Sequence, residues 1–284
     1  MFPDAWEFHV AQYVNDGVDW LLVRFAPAFD SISVFISSVL SGIQSSLEMV
    51  PWWAYIIAVA LSVWLATGKK KSAVMLAAFT FCIGLFGLWG LALETLSIII
   101  TSVLISLLLG IPLGVMTAEF PRGTAFMKPL LDGMQTMPSF VYLIPAMMFF
   151  GLGKVPAVFA TLIYSMPPVI RLTTLGLQQV PKPAQEAAIA YGATRWQLLK
   201  EVRLPLAMPG IMAGINQTTM MALAMVVVCA MIGARGLGQE VLLSINRIDI
   251  GRGFESGISI VIMAIVIDRI TQGLGKRWEP KRRQ

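Results

Sequence analysis

Long apolar runs without charged residues recur along the chain and predict a helical membrane protein. A helix needs about 20 mainly apolar residues to cross a hydrocarbon core of about 30 Å. Each run is long enough or nearly so, and the last one reaches Asp268 and Arg269 before it ends. We therefore predict an all-α polytopic membrane protein with about seven transmembrane helices. The predicted spans are residues 49–68, 73–93, 95–118, 133–153, 155–170, 205–233 and 256–274.

The segment before the first predicted span has a different pattern. Residues 31–47 are uncharged, but their apolar positions recur at helical spacing on one face, while serines and Gln44 occupy the other. A single apolar face of this kind is typical of a helix that lies on the membrane surface or against a partner. We therefore predict that residues 1–50 form an extracytoplasmic segment, whose amphipathic helix (residues 32–47) does not cross the membrane.

Lysine and arginine are distributed unevenly between the two sides of these spans. When Lys69, Lys70 and Lys71 are placed in the cytoplasm, most of the 21 Lys and Arg residues fall on the same side. The positive-inside rule then puts the amino terminus outside and the basic tail, residues 276–284, in the cytoplasm. This orientation accounts for the net charge of +5, so no nucleic-acid partner is needed to explain it.

The composition supports a membrane protein and argues against most catalysis and metal binding by histidine. The chain is 57% hydrophobic and 13% charged, about half the charged fraction of soluble domains. It has a single histidine, and Cys82 and Cys229 lie inside apolar runs, which suggests neither a metal site nor a disulfide framework. The sequence holds no GxxxxGK[ST] phosphate-binding motif. We expect no catalytic residue, metal or cofactor in this chain, and ATP, if used, on another chain.

A charged, amphipathic loop separates two of the apolar spans and predicts two short helices. Pro181 and Pro183 prevent a helix from continuing into it, so a new helix should begin near Ala184. Gly192 supplies the left-handed residue that ends this helix. A second helix should start with the capping-box spacing of Thr194 and Gln197 and run to about residue 204, where Pro205 closes it.

Three interpretations of this loop are open: an ordinary cytoplasmic loop, a DNA-binding helix-turn-helix, and the cytoplasmic loop of an ABC-transporter permease. The apolar spans on both sides count against DNA binding, because a recognition helix needs a soluble domain to carry it. The loop closely resembles the permease motif EAA, three residues, Gly, nine residues, Ile, any residue, Leu-Pro. The matching positions are Glu186, Ala187, Ala188, Gly192, Leu204 and Pro205, with Val202 in place of Ile.

Other stretches narrow the resemblance within that family. Residues 137–156, 164–177 and 232–242, with IVIDRITQGLG near the end, resemble the permease subunit of glycine betaine/proline-betaine/choline importers. The resemblance implies a five-helix permease core over residues 94–275 with a coupling loop at 178–205. Two accessory transmembrane helices, over residues 51–93, would precede this core.

The resemblance also implies partners and a location. It implies a multi-pass protein of the bacterial inner membrane that pairs with a second permease copy, most simply as a homodimer. Cytoplasmic ABC ATPase subunits would bind ATP and Mg and contact the coupling loop, and an extracytoplasmic binding protein would deliver the substrate. A quaternary-amine osmolyte is the expected substrate, and an amino acid such as histidine or proline is the alternative.

Prolines and aromatic residues concentrate in the fourth and fifth predicted spans. Irregular backbone at membrane depth is tolerated where it is packed in protein or lines a cavity, so these two spans are the candidates for the translocation pathway, the fifth being broken at its prolines. Packing alone can explain any one of these residues. The pathway candidates are Pro138, Phe140, Tyr142, Phe149, Tyr164, Pro167 and Pro168.

Asp268 is the clearest candidate for a buried charge. A carboxylate at the bilayer centre costs roughly 2.5–3.5 kcal/mol on insertion scales, and less near the interface. Arg171 is the expected partner, because both residues sit towards cytoplasmic span ends; simple hydration of an interfacial Asp is the other interpretation.

Other functional classes are less well supported by the sequence. A secondary transporter should show inverted repeats with matching broken helices, and none is evident. A membrane-embedded enzyme should carry paired intramembrane carboxylates or a His/Asp cluster, and the sequence offers neither. A purely structural membrane subunit stays open, and co-purification of an ATPase subunit would distinguish it from an importer.

Overall fold

The computed structural model describes residues 10–276, and this part of the chain is helical, without a β-strand. The predicted all-α class is therefore confirmed for the described residues. Short 3₁₀ turns follow α5 at Ser139–Tyr142 and α10 at Cys229–Ile232, and a π-helical turn at Leu198–Arg203 precedes α10. The helices are α1 (Val10–Met49), α2 (Trp52–Thr67), α3 (Lys70–Leu85), α4 (Trp89–Glu119), α5 (Pro121–Thr136), α6 (Leu143–Phe150), α7 (Lys154–Gln178), α8 (Lys182–Ala190), α9 (Arg195–Gln197), α10 (Leu204–Val228), α11 (Leu237–Arg247) and α12 (Ile250–Lys276).

By length and composition, five helical segments within the described residues 10–276 are able to cross a membrane, and two shorter apolar helices accompany them. One of the five is α1, whose inner face buries Ile36 and Leu40 and which packs against α4, α6 and α7. The surface position of residues 32–47 and the count of seven spans therefore stay predictions. The five segments are Val10–Met49, Trp89–Glu119, Lys154–Gln178, Arg195–Ile232 and Ile250–Gly275, and the two shorter helices are Trp52–Thr67 and Ser139–Phe150.

Two predicted spans are interrupted by turns that are themselves apolar. Residues 73–93 are not one helix, because the chain reverses through Gly87 (φ 72°) and Trp89 begins α4. Residues 133–153 are also divided, because Pro138 cannot continue α5 and holds Met137 in an extended conformation. Hydropathy measures how favourably residues transfer into lipid and not whether a helix is continuous. The hydropathy pattern therefore did not predict either turn.

Pro167 and Pro168 do not break the fifth predicted span, and that expectation is wrong. Helix α7 continues through both residues, which are buried. A proline removes one helical hydrogen bond, but its fixed φ is compatible with a helix. Helices α4 and α10 make the most extensive contacts of α7 and hold it on both sides, so the helix keeps its path.

The core of the bundle is the contact of α4 and α10 with α7. Small residues and hydroxyls make it, as is usual where helices meet in a membrane. Ser102 and Ser106 on α4 donate to the carbonyls of Val158 and Leu162 on α7, and Thr174 on α7 donates to the carbonyl of Gly114 at 2.9 Å. These bonds fix the rotation of α7 about its axis and therefore which of its faces is left for other contacts.

Candidate functional site

The loop between α7 and α10 folds as the sequence predicts, into a short helix, a turn and a second helical start. Helix α8 follows the extended Pro181 (ψ 128°) and has no buried residue. Glu186 and Ala187 are exposed, and Ala188 is half-buried. Ile189, Tyr191 and Trp196 are 57%, 94% and 67% exposed. So many exposed apolar side chains on one short segment indicate a surface made for a partner.

Gly192 ends α8 in the left-handed conformation that was predicted for it, with φ 83°. The amide of Ala193 donates to the carbonyl of Ala188 at 3.1 Å, and the amide of Gly192 donates to that of Ile189 at 2.9 Å. These two bonds form a Schellman motif, which satisfies the last carbonyls of the helix. The turn therefore sets the direction in which α8 projects from the following helix.

The second helix of the loop begins with the predicted capping box. The amide of Gln197 donates to Thr194 Oγ1 at 3.3 Å, and the amide of Thr194 donates to Gln197 Oε1 at 2.9 Å. The predicted end at Pro205 is wrong. A π-helical turn at Leu198–Arg203 leads without interruption into α10, and its wider backbone leaves room for the proline ring, which then lies in the first turn of α10.

One ion pair joins this coupling segment (residues 182–205) to the bundle. Arg203 Nη1 contacts Glu119 Oε1 at the last residue of α4, and their side chains are 15% and 37% exposed. Because Arg203 belongs to the π-helical turn between α9 and α10, this contact connects the loop that holds α8 and α9 to the end of α4. No pattern in the sequence indicated this pair, since its members are 84 positions apart.

Under the importer function that the sequence resemblance implies, we expect Arg203→Ala and Glu119→Ala to lower uptake per ATP hydrolysed to a similar extent, because each removes the same contact. Contacting charged residues usually show coupling energies of about 0.5–3 kcal/mol, so the double variant should lose clearly less than the two single losses combined. The measurement is uptake and ATP hydrolysis in proteoliposomes for the two single variants and the double variant. Strictly additive losses would show that the pair carries no coupling.

The structure brings together only some of the pathway candidates. Tyr142, on the 3₁₀ turn that follows Pro138, is buried and donates its hydroxyl to the carbonyl of Met134. Its ring meets Tyr164 of α7 edge-on, with centroids 5.8 Å apart. Phe140 is exposed instead. The ring of Phe149 stacks on that of Phe29 of α1, with centroids 4.8 Å apart, so Phe149 packs against α1.

The expected pairing of Asp268 with Arg171 is wrong. Arg171 contacts Asp132 on α5, and its side chain is 42% exposed. Asp268 accepts hydrogen bonds from Asn216 on α10 at 3.3 Å and from Gln272 at 2.8 and 2.9 Å. Arg171 lies on the part of α7 that faces α5, whereas Asp268 lies on the face of α12 that meets α10. The rotation of the packed helices therefore separates the two residues.

Sequence reasoning missed two polar clusters at helix contacts. Asn216, which binds Asp268, also accepts from Thr271, and the only sequence signal was the dipeptide Asn216-Gln217 inside an apolar run. Near the first residues of α4 and α7, Lys154 contacts Glu94 at 3.0 Å and Gln44 of α1 at 2.8 Å. Glu94 could have been noticed as the lone charge between two predicted spans. This second cluster ties α1 to the core.

The fold and the coupling segment together define the class of an ABC importer permease. A solved structure of the MetNI methionine ABC transporter in inward-facing conformations has the same fold, with a TM-score of 0.59 and 20% identity, covering 66% of this chain and 94% of that one. Residues 110–284 match the model of the binding-protein-dependent transport system inner membrane component, and the chain belongs to that family. It is thus a transport permease subunit and not an enzyme.

Two relatives are similar over most of the chain. The glycine betaine/proline betaine transport system permease protein ProW of Escherichia coli (strain K12) is 45% identical over 264 residues, which cover 93% of this chain and 74% of the relative. The glycine betaine/carnitine transport permease protein GbuB of Listeria monocytogenes serotype 1/2a (strain 10403S) is 42% identical over 281 residues, which cover 97% of this chain and 98% of the relative.

Proposed function

We propose that this chain is the permease subunit of an ATP-driven importer that moves a small quaternary amine, such as glycine betaine, proline betaine or choline, into the cell. The observation that carries the proposal is the 42–45% identity, over nearly the whole chain, to permeases named for glycine betaine transport. The coupling segment supports the ATP-driven part, because its exposed apolar surface suits a second protein.

The assembled importer contains two copies of this chain, two cytoplasmic ATPase subunits and an extracytoplasmic binding protein. The family implies the ATPase and the binding protein; the pairing of two identical copies and the location of the amino terminus outside the cell are part of the proposal. ATP and Mg bind to the ATPase subunits. Lys182, Arg195 and Lys200 are exposed on the coupling segment, which suits a cytoplasmic position.

Coupling depends on α8 and on the turn that follows it. Helix α8 enters a groove of the ATPase, where the small side chains of Ala187 and Ala188 allow close approach and Glu186 lies at the exposed surface. Gly192 sets the angle between α8 and the second helix. Leu204 and Pro205 are the first residues of α10 and carry the displacement into that helix, because the π-helical turn joins the loop to α10 without a break.

The translocation pathway follows the 3₁₀ turn and α6, which lie between α5 and α7. Tyr142 and Tyr164 are the paired aromatic residues there, close to Pro138, Pro167 and Pro168. A quaternary ammonium keeps its charge and donates no N–H bond, so aromatic faces attract it by roughly 0.5–2 kcal/mol each. Such contacts are weak, which suits an importer because it must release its substrate. Phe140 offers a further exposed ring.

The test is uptake of labelled glycine betaine into proteoliposomes that contain the permease, its ATPase and its binding protein, with ATP inside. We expect unlabelled choline and proline betaine to compete, and proline and histidine to compete weakly. Uptake must also require ATP, which separates an importer from a secondary transporter. Full competition by histidine without competition by quaternary amines would overturn the substrate assignment and leave the permease assignment intact.

A further inference from the structure

Helices α10 and α12 carry amides, a hydroxyl and a carboxylate at a depth where most residues are apolar. Both lie in segments long and apolar enough to cross the membrane. At a rise of 1.5 Å per residue, Asn216 stands about 18 Å along α10 from Leu204, near the middle of that helix. Five residues, here called the polar groove residues, form the set: Asn216, Gln217, Asp268, Thr271 and Gln272.

The carboxylate of Asp268 is fixed by neutral donors. Asn216 donates to Oδ1 at 3.3 Å, and Gln272 donates to both carboxylate oxygens at 2.8 and 2.9 Å. Thr271 donates to Asn216 Oδ1, which orients the amide so that its NH₂ group faces the carboxylate. Among the side chains that the structure describes, no ion pair includes Asp268. The carboxylate is held in place by neutral groups.

A cavity of about 400 Å³ lies between α7, α10 and α12, and its lining includes Asn216 and Gln272, the two donors to this carboxylate, but not Asp268 itself. This volume is within the usual size of small-molecule sites. The polar residues Asn216, Gln217, Thr271 and Gln272 line it from α10 and α12, together with the apolar residues Met212 on α10 and Leu172 on α7. Gln217 is exposed and Asp268 is half-buried. Polar and ionisable groups at this depth face the bundle interior or a water-filled cavity, because lipid cannot satisfy them.

We propose that the polar groove residues form a weak cation-attracting subsite of the translocation pathway, which takes the positively charged end of a small solute. Asp268 supplies the charge, and the amides of Asn216 and Gln272 hold its carboxylate in one orientation. That the solute is a methylated ammonium compound rests on the proposed function. The subsite is distinct from the aromatic pair Tyr142–Tyr164 and would act on the same solute from α10 and α12.

The test uses thiol reagents of opposite charge on the permease with its ATPase in lipid nanodiscs. Cys82→Ser and Cys229→Ala remove the native thiols, and Gln217→Cys places one in the groove. Two membrane-impermeant methanethiosulfonates, one with a trimethylammonium group and one with a sulfonate group, are compared by their reaction rates. Leu61→Cys is the matched control, because Leu61 is an exposed apolar residue in the middle of α2.

We expect Gln217→Cys to react with both reagents and Leu61→Cys with neither. The trimethylammonium reagent should react about fivefold faster than the sulfonate at Gln217→Cys, after correction for their rates with a free thiol, because a negative charge concentrates cations in a confined site. Adding Asp268→Asn should abolish the difference. An unreactive Gln217→Cys, equal corrected rates, or a preference that survives Asp268→Asn would each overturn the proposal.

The rates do not depend on what the importer carries, so this result and the uptake competition fail independently. Loss of the quaternary-amine substrate in the uptake assay would leave a cation-attracting groove in place for another charged solute. Loss of the charge preference would leave the substrate assignment in place without this subsite. Asp268→Asn keeps the size and the hydrogen-bonding capacity of the side chain, and co-purification of the ATPase shows whether that variant still assembles.

Discussion

Replacing Gly192 with valine should lower uptake per ATP hydrolysed about tenfold, while the permease still inserts into the membrane. Gly192 has φ 83°, and nothing lies within 4 Å of the position that a Cβ would take, so the backbone alone opposes the change. The left-handed conformation costs an L-residue roughly 1–2 kcal/mol, and about 1.4 kcal/mol corresponds to a factor of ten. The turn would relax, and α8 would point in a different direction relative to α9. Uptake and ATP hydrolysis are measured together in proteoliposomes.

Gly192→Asn is the matched control, because asparagine adopts the left-handed conformation far more readily than valine. It adds a side chain at the same place and should keep most of the coupling. Retained ATP hydrolysis with lost uptake in Gly192→Val would identify a coupling defect, and co-purification of the ATPase would exclude simple loss of the complex. Normal uptake and normal stimulation of the ATPase in Gly192→Val would contradict the role given to the turn.

Replacing Gly114 with leucine should cost at least about 3 kcal/mol of stability and remove most of the folded importer. A Cβ at Gly114 would lie 2.7 Å from Thr173 Cβ and 2.9 Å from the carbonyl oxygen of Ile170, and the latter is backbone that cannot turn aside. Overpacking by added carbons typically costs about 1–3 kcal/mol, and leucine adds a whole side chain. Separating α4 from α7 would also break the bond from Thr174 to Gly114. Yield of monodisperse protein and its melting temperature are the measurements.

Gly257→Leu is the control for this prediction, since Gly257 also lies inside a long apolar helix and has nothing within 4 Å of an added Cβ. Both changes add the same apolar side chain to a helix. A melting temperature close to that of the unchanged protein is expected for Gly257→Leu. Equal losses in the two variants would mean that hydrophobic substitution in general, and not the α4–α7 contact, sets the stability.

The features that sequence reasoning located correctly depend on residues close together in the chain. The Schellman turn at Gly192 and the capping box of Thr194 and Gln197 involve neighbours within five positions, so their residue types were enough to predict them. Helix ends inside apolar segments were missed, because the turns around Gly87 and Pro138 are built of apolar residues themselves. The prolines of α7 and Pro205 were over-interpreted, because neighbouring helices and a π-helical turn accommodate them.

By itself, the sequence determined the helical class, the apolar segments, the coupling segment and, through its motif, the permease family that the comparisons establish. Only the tertiary structure decided which polar side chains meet across the bundle. Arg203 contacts Glu119, which is 84 positions away in the sequence, and Asn216 binds Asp268, which is 52 positions away. Such pairs depend on how each helix is rotated about its axis. That rotation is set by close contacts of small residues such as Gly114, to which hydropathy is insensitive.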